Sequence, residues 1–247
     1  MFYNKKKISI QKSLIHKFSK QKLLTGIFKY NKSLLVAISG GQDSISLLFL
    51  FHFLQKLNNW KIGIVHCNHM WQSDAILNAS TISFFIKELH LNYYEAISTV
   101  SIKNEEEARL WRYQIITKIA TVHGYEFVVT GHTASDNVET LLASFFRNCQ
   151  LKTIKSRKKS TKKNNFLIKY LRPLLKFSRL ETKLLCEKYN LPITVDVTNK
   201  NLIFKRNRIR NELLPYIRNF FNKNFDNKVF NHNNKWAEWV SNPRPIG

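Results

Sequence analysis

The segment Leu34-Leu-Val-Ala-Ile-Ser-Gly-Gly-Gln-Asp-Ser44 constrains the fold of this 247-residue chain more than any other. Leu34 to Ser39 is an apolar run suited to a buried parallel strand. Two adjacent glycines, Gly40 and Gly41, break it, and Ser44-Ile-Ser-Leu-Leu-Phe-Leu restarts as a helix. Glycine is scarce, with seven in the whole chain. A pair of them on a strand-to-helix turn therefore marks a place where the backbone must approach something closely. Backbone N–H groups at such a turn, with the positive end of the helix dipole, make an anion site. Asp43 is the first carboxylate in the chain and stands where a magnesium-bound phosphate needs an oxygen ligand. An ordinary strand–helix turn with a serine cap would explain the glycines alone. Asp43 and Ser44 behind them favour a bound phosphate. The GxxxxGK[ST] loop of kinase-like NTPases is absent.

Around this turn the first 150 residues alternate strand-like and helix-like patterns. Strands are expected at Leu34–Ser39, Ile62–His66, Tyr93–Ile97 and Phe127–Thr130. Helices are expected near Ser44–Asn58, Ser73–Leu89, Asn104–His123 and Asp136–Phe146. Asn104 is the natural N-cap of the third, with Glu105, Glu106 and Glu107 in its first turn. Such alternation implies an α/β fold, a parallel sheet with helices on both faces, and a ligand site beyond the strand carboxyl ends. Ile10, Leu14, Ile15 and Phe18 have the spacing of a packed leading helix, against a transit-peptide reading of the basic N-terminus. Phe166–Leu171 is strand-like, and Ser178-Arg-Leu-Glu181 has capping-box spacing and opens a helix to about Tyr189. Asp196–Asn201 reads as a loop, and Phe204–Phe221 as a basic helix that Pro215 can kink. The expected division is a leading helix over 1–32, an α/β domain over 33–176, a helical extension over 177–222 and a tail over 223–247.

Net charge narrows the partner. Forty Lys and Arg against sixteen Asp and Glu give +24, an excess that predicts salt-dependent affinity for a polyanion. An AT-rich genome explains part of it but not its clustering. No acidic residue occurs from Thr140 to Leu180, while Lys152, Lys155, Arg157, Lys158, Lys159, Lys162 and Lys163 crowd one segment. Contact with nucleic acid is weighed there against a solvated basic loop. Cys67, Cys149 and Cys186 form no CxxC pair, which argues against a disulfide scaffold. No run has the length needed to span a bilayer.

Further motifs lie at the expected strand ends. His66-Cys-Asn-His69 follows the second strand, where His66, Cys67 and His69 suit a nucleotide-contacting loop better than a metal site. Arg109 and Arg112 are three apart on the third helix, a salt-bridged surface pattern when taken alone. Gly131-His-Thr-Ala-Ser-Asp-Asn-Val-Glu-Thr140 follows the fourth strand and puts Asp136 and Glu139 at i,i+3 behind His132. These could hold a metal or orient an amine nucleophile. Capping by Ser135 or Asp136 would use the same residues. Lys205, Arg206, Arg208 and Arg210 suit phosphate contact or a solvated face equally.

Ser39-Gly-Gly-Gln-Asp-Ser44 resembles the pyrophosphate loop of ATP-splitting adenylating enzymes. Taken in order with His66–His69, Ser73-Asp74, Ala108-Arg109, Arg112-Tyr113, Gly131–Thr140, Arg172-Pro-Leu-Leu, Ser178-Arg179 and Arg206–Arg210, it resembles the tRNA(Ile)-lysidine synthetase family over about Leu34 to Pro215. The resemblance implies an adenine-nucleotide α-hydrolase-like, Rossmann-like sheet with a small mainly helical C-terminal appendage. It implies a ligase that adenylates C2 of the wobble cytidine of tRNA(Ile) with anticodon CAU, then joins lysine there to give lysidine. ATP, Mg2+ and free L-lysine are its co-reactants. Ser39, Gly40, Gly41, Gln42, Asp43, Ser44, His66 and Asn68 would bind ATP; Asp43, His132, Asp136 and Glu139 would line the reaction centre, with Asp43 and Asp136 as magnesium ligands. Arg109, Arg112, Lys158, Lys159, Arg206, Arg208 and Arg210 would contact tRNA. A homodimer is compatible with this reading, and no membrane partner is expected.

The chain departs from the family's His-His-x-Asp-Asp pattern with His132-Thr-Ala-Ser-Asp136, a form that resembles the cyanobacterial and plastid branch. A plastid stroma or bacterial cytoplasm follows. The family's larger C-terminal tRNA-binding domain is expected to be absent or degenerate, with Lys152–Lys163 in compensation. A tRNA thiolase on the same loop and a tRNA-binding relic without catalysis are the rival readings.

Overall fold

The computed structural model describes residues 14–21, 26, 28, 30–68, 75–99, 102, 104–163, 166–194 and 202–232, with backbone only at 75–78, 157–163 and 166. Ile10, His69, Ser73, Asp74 and the expected loop Asp196–Asn201 lie outside the described residues, as do positions 233–247.

The alternating pattern folds as expected. β1 (Ser33–Ile38) leads through the glycine turn into α1 (Gln42–Asn58), followed by β2 (Lys61–Asn68), α2 (Ala75–Glu88), β3 (Asn92–Ile97), α3 (Glu105–Val122), β4 (Phe127–Thr130) and α4 (Ala134–Asn148). β5 (Arg157–Lys163) and β6 (Phe166–Leu171) precede a 3-10 turn at Pro173–Lys176 and α5 (Arg179–Lys188). A further helical run, α6, joins Lys205–Arg208, a π-helical Ile209–Leu213, Leu214–Tyr216 and a second π-helical turn, Ile217–Phe221. Pro215 lacks the N–H that an α-helix needs, and the wider π turns on either side keep the run unbroken. Residues 225–232 form the helix α7.

Among the described residues the six strands form one sheet in the order β3-β2-β1-β4-β6-β5. The pairs β1/β2, β2/β3, β1/β4 and β4/β6 are parallel. β5 runs antiparallel to β6 at the edge, with a register shift between Lys158 and Thr161. The sequence showed this edge only as a basic segment, because its lysines carry no hydrophobic alternation. Lysine-rich edge strands are a common defence against edge-to-edge association.

Residues alternate between the two faces of each strand. One face sets Leu35, Val65, Val128, Ile168 and Tyr170 against Ile116 and Ala120 of α3. On the other, Phe127 stacks edge-on with Phe28, and Phe28 with Phe51 of α1. Phe18, in a helical turn over residues 14–19, also meets Phe51 edge-on. Within the described turn Leu14 and Phe18 are buried, as the helical spacing predicts for them.

The chain divides into two compact units. The first comprises residues 1–131, 156–173 and 181–195 and contains the whole sheet. The second comprises residues 132–155, 174–180 and 196–247 and contains α4, α6 and α7. Its core sets Val138 against Ile209 and Leu214, with Ala134 against Leu175 and Phe230.

Candidate nucleotide loop and an acid–arginine cluster

In the first unit the order of strands reverses between β1 and β4, the switch point at which α/β sheets bind ligands. The turn after β1 lies there. Gly40 has φ +82°, and a Cβ on it would come within 2.3 Å of Thr194 Oγ1 and 2.6 Å of Ile82 Cδ1. Only glycine suits that position. Gly41 is the N-cap of α1, with no side-chain cap. Ser44 closes the loop: its Oγ accepts from the Ser39 N–H at 3.1 Å and donates to the Gly41 carbonyl at 2.8 Å. After β4, Gly131 packs against the loop so closely that a Cβ there would sit 3.0 Å from backbone atoms of Asp43 and Ser44.

Asp43 stands in the first turn of α1, where the dipole favours its charge. Its Oδ1 accepts from the Thr182 hydroxyl at 2.5 Å, and Thr182 accepts from Gln42 Nε2 at 2.8 Å. Thr182 is fully buried and also offers its carbonyl to the Ser46 hydroxyl. Nothing in the sequence links Thr182 to the loop, because 139 residues separate it from Asp43. His66 and Asn68, both buried, end β2 beside the loop, with His66 in register with Ile38. The His66 Nδ1 lies 3.1 Å from the Ile38 carbonyl. Burial holds its pKa below the usual imidazole value, partly offset by that carbonyl and by Glu95. A neutral ring then donates from Nδ1 and keeps Nε2 as an acceptor.

The two arginines of α3 separate in character. Arg109 is exposed, its guanidinium 5.7 Å from the Tyr113 ring centre. Arg112 is half-buried; burial lowers its pKa, opposed by Cys67, Glu105 and Tyr113 and reinforced by Arg109. Burial also pushes the Cys67 thiol up to about 12, with Arg112 drawing it back. Lys158 and Lys159 lie on the edge strand β5.

The second unit brings together His132, Asp136, Glu139, Arg206 and Arg210. The cap of α4 is Thr133, not Ser135 or Asp136 alone: Asp136 Oδ2 accepts from the Thr133 N–H at 2.8 Å, and Thr133 Oγ1 accepts from the Asp136 N–H at 3.4 Å. That reciprocal pair fixes Asp136 at the third helical position. Glu139, one turn on and 1% exposed, receives Arg210 in a two-pronged contact, Nε to Oε1 and Nη2 to Oε2, both 2.7 Å. Arg206 Nε meets Glu139 Oε2 at 3.0 Å. Both guanidiniums reach Asp136 Oδ1 at 3.4 Å. Burial pushes the Asp136 carboxyl up, but His132, Arg206, the Thr133 N–H and Arg210 together hold it below the usual carboxylate range.

The cation run of α6 is thus split by the helix. Arg206 and Arg210, at i,i+4, turn to the carboxylates, while the exposed Arg208 pairs with Glu212 at 3.2 Å. Two buried carboxylates one turn apart repel, and two guanidiniums balance them. Sequence spacing showed each half of this cluster and not their union.

The fold and the loop agree with comparison to known proteins. Residues 9–217 match the family model of the PP-loop domain. The chain is 41% identical over 199 residues to the tRNA(Ile)-lysidine synthase of a Nostoc species, covering 79% of this chain and 57% of that protein. It is 36% identical over 221 residues to the chloroplastic tRNA(Ile)-lysidine synthase of Pyropia yezoensis, covering 89% and 67% respectively. A solved U34-tRNA thiolase from Methanococcus maripaludis shares the fold, with TM-score 0.66 over 92% of this chain and 78% of that one, at 16% identity. The chain belongs to the tRNA(Ile)-lysidine synthase family. It spans less than two thirds of the length of the Nostoc relative.

Proposed function

We propose that this chain ligates lysine to C2 of the wobble cytidine of a tRNA(Ile) with anticodon CAU at the expense of ATP. The observation that carries this reading is the glycine turn at the sheet's switch point, Gly40 with φ +82° and Gly131 against the loop backbone, in a chain whose relatives are tRNA(Ile)-lysidine synthases. Ser39–Ser44 cradle the phosphates of ATP with loop amides and the N-terminus of α1. The neutral His66 and Asn68 line the neighbouring strand end for the rest of the nucleotide.

A hard cation needs carboxylate oxygens. Asp43, whose Oδ1 takes the Thr182 hydroxyl and, at 3.5 Å, Gln42 Nε2, fits that role better than Asp136, whose Oδ2 takes the Thr133 N–H and hydroxyl while Oδ1 faces two guanidiniums. When bound, the ion neutralises charge on the phosphates. In the first step the cytosine O2 bonds to the α-phosphorus and pyrophosphate leaves. In the second the lysine ε-nitrogen bonds to C2, the C2–O2 bond breaks, AMP leaves and the amine gives up a proton. His132 is the acceptor for that proton, with Asp136 stabilising its charge. Arg206, whose side chain is 41% exposed, offers its outer edge to phosphate.

The test is incorporation of labelled lysine into a tRNA(Ile) transcript with anticodon CAU, with ATP and magnesium present. Label in this transcript, none in one whose wobble position is uridine, and none with Asp43→Asn is expected. No label, with salt-sensitive tRNA binding intact, would return the chain to a binding relic or a thiolase.

The basic edge strand carries the tRNA half of the reading. Changing Lys158 and Lys159 together to Gln is expected to lower the slope of log affinity for tRNA against log salt by roughly 1–2. An unchanged slope would leave these lysines as guards of a sheet edge.

A further inference from the structure

Ser135 precedes Asp136 in the first turn of α4, and the second unit brings a carboxylate from a later helix to its hydroxyl. Ser135 is 1% exposed and its hydroxyl donates to Asp226 Oδ2 at 2.5 Å. The same Ser135 Oγ accepts from the Arg179 N–H at 3.1 Å. Arg218 grips Asp226 from both sides, Nη2 to Oδ2 at 2.8 Å and Nε to Oδ1 at 3.2 Å. Asp226 is 5% exposed and lies beyond residues 9–217 that match the PP-loop model.

The apolar packing of α7 brackets this contact. Phe230 meets Ala134, the residue before Ser135, while Phe225 and Val229 pack on the cluster of Val138, Ile209 and Leu214. Packing alone would seat α7. A buried ion pair adds little net stability over apolar residues of the same volume, because desolvating two charges cancels most of their attraction. What a buried, hydrogen-bonded charge does supply is one fixed geometry. The geometry fixed here is the first turn of α4, which carries Asp136 and, one turn on, Glu139.

We propose that Asp226, clamped by Arg218, is a positioning residue that acts through Ser135 to hold Asp136 and Glu139 against Arg206 and Arg210. This inference rests on the function proposed above for the role of Asp136 and Glu139, but the clasp itself has its own readout.

The experiment compares full-length Asp226→Ala, Asp226→Asn, Ser135→Ala and the double variant in lysine incorporation, thermal unfolding and amide hydrogen exchange. Asp226→Ala is expected to lower kcat between about tenfold and a hundredfold, as for a reacting group displaced by an ångström, with KM for ATP within about twofold. Ser135→Ala is expected to give a similar loss and the double variant no more, the mark of residues acting as a unit. Asp226→Asn, which still accepts from Ser135, is expected to recover part of the rate. Unchanged kcat in folded Asp226→Ala, additive losses, or a fall in rate that only tracks the unfolded fraction would each overturn the proposal. Exchange at residues 134–137 is expected to quicken in Asp226→Ala while residues 141–146 and α1 keep their protection. If wild-type protein incorporates no lysine, the functional reading fails, and exchange alone decides: unaltered protection at 134–137 overturns the clasp.

Discussion

The glycine loop of the first unit and the acid–arginine cluster of the second are two ways of building a polar site. The loop is local. Ser39, Gly40, Gly41 and Ser44 close on one another within six residues, and the closing bonds use backbone atoms and the hydroxyls of Ser39 and Ser44. The cluster is remote: its ion pairs join residues 67 to 74 positions apart, all through side chains. A local turn keeps its geometry as long as the strand and helix beside it persist. A remote cluster exists only when two helices dock, and its charges are part of the docking energy. Function and stability should therefore separate in the loop and be entangled in the cluster.

Two substitutions put that contrast at its widest. Asp43→Asn removes a charge without removing the hydrogen bond from Thr182. It is expected to lower turnover on the order of a thousandfold, the several kcal/mol a metal ligand contributes to charge stabilisation, while urea unfolding stays where it is. Arg210→Ala leaves Glu139, 1% exposed, without its two-pronged partner. Its expected cost is about 3–5 kcal/mol of folding stability, the usual result of stripping one partner from a buried ion pair. The contrast breaks if Asp43→Asn unfolds early, or if Arg210→Ala unfolds with the wild type and loses only activity.

The same contrast explains what could be read from the sequence. Leu34–Ser44 was legible because its apolar run, its two glycines and its helical restart are all written within one window. The N-cap Asn104 was legible for the same reason, and its Oδ1 does accept the Glu107 N–H at 2.9 Å. The parallel pairing of β1 to β4 followed from alternation, but the order of the strands in the sheet did not. β5 was not legible, since Arg157–Lys163 owes its strand to pairing with β6 and not to its own pattern. Nothing in the sequence sets Thr133 above the neighbouring Ser135 and Asp136 as the cap of α4, since all three have equal claims by residue type. Thr182, Arg218 and Asp226 carried no signal at all. A buried threonine and an Asp near a chain end become notable only when the fold sets them on Asp43 and Ser135.

Acid separates the two regions more finely than substitution does. His66, beside the loop, is held below 6.5, chiefly by burial. Below that pH the unfolded chain takes up a proton that the folded imidazole refuses, so stability falls as pH falls through and below 6.5. Asp136 behaves differently. Burial alone would raise it, but His132, the two arginines and the Thr133 N–H hold it below 3.8. The folded carboxylate then stays ionised where the unfolded one protonates, and its contribution is complete above 3.8 and lost only as pH falls toward the depressed folded value. Acidification should therefore weaken the loop's surroundings first and the cluster later. Urea unfolding across both windows tests this. His66→Gln should flatten the stability curve between about pH 5 and 6.5 and leave the more acid limb alone, while Asp136→Asn should do the reverse. If His66→Gln keeps the full wild-type slope in its window, the imidazole is not buried neutral, and the histidine beside the loop belongs to the solvent.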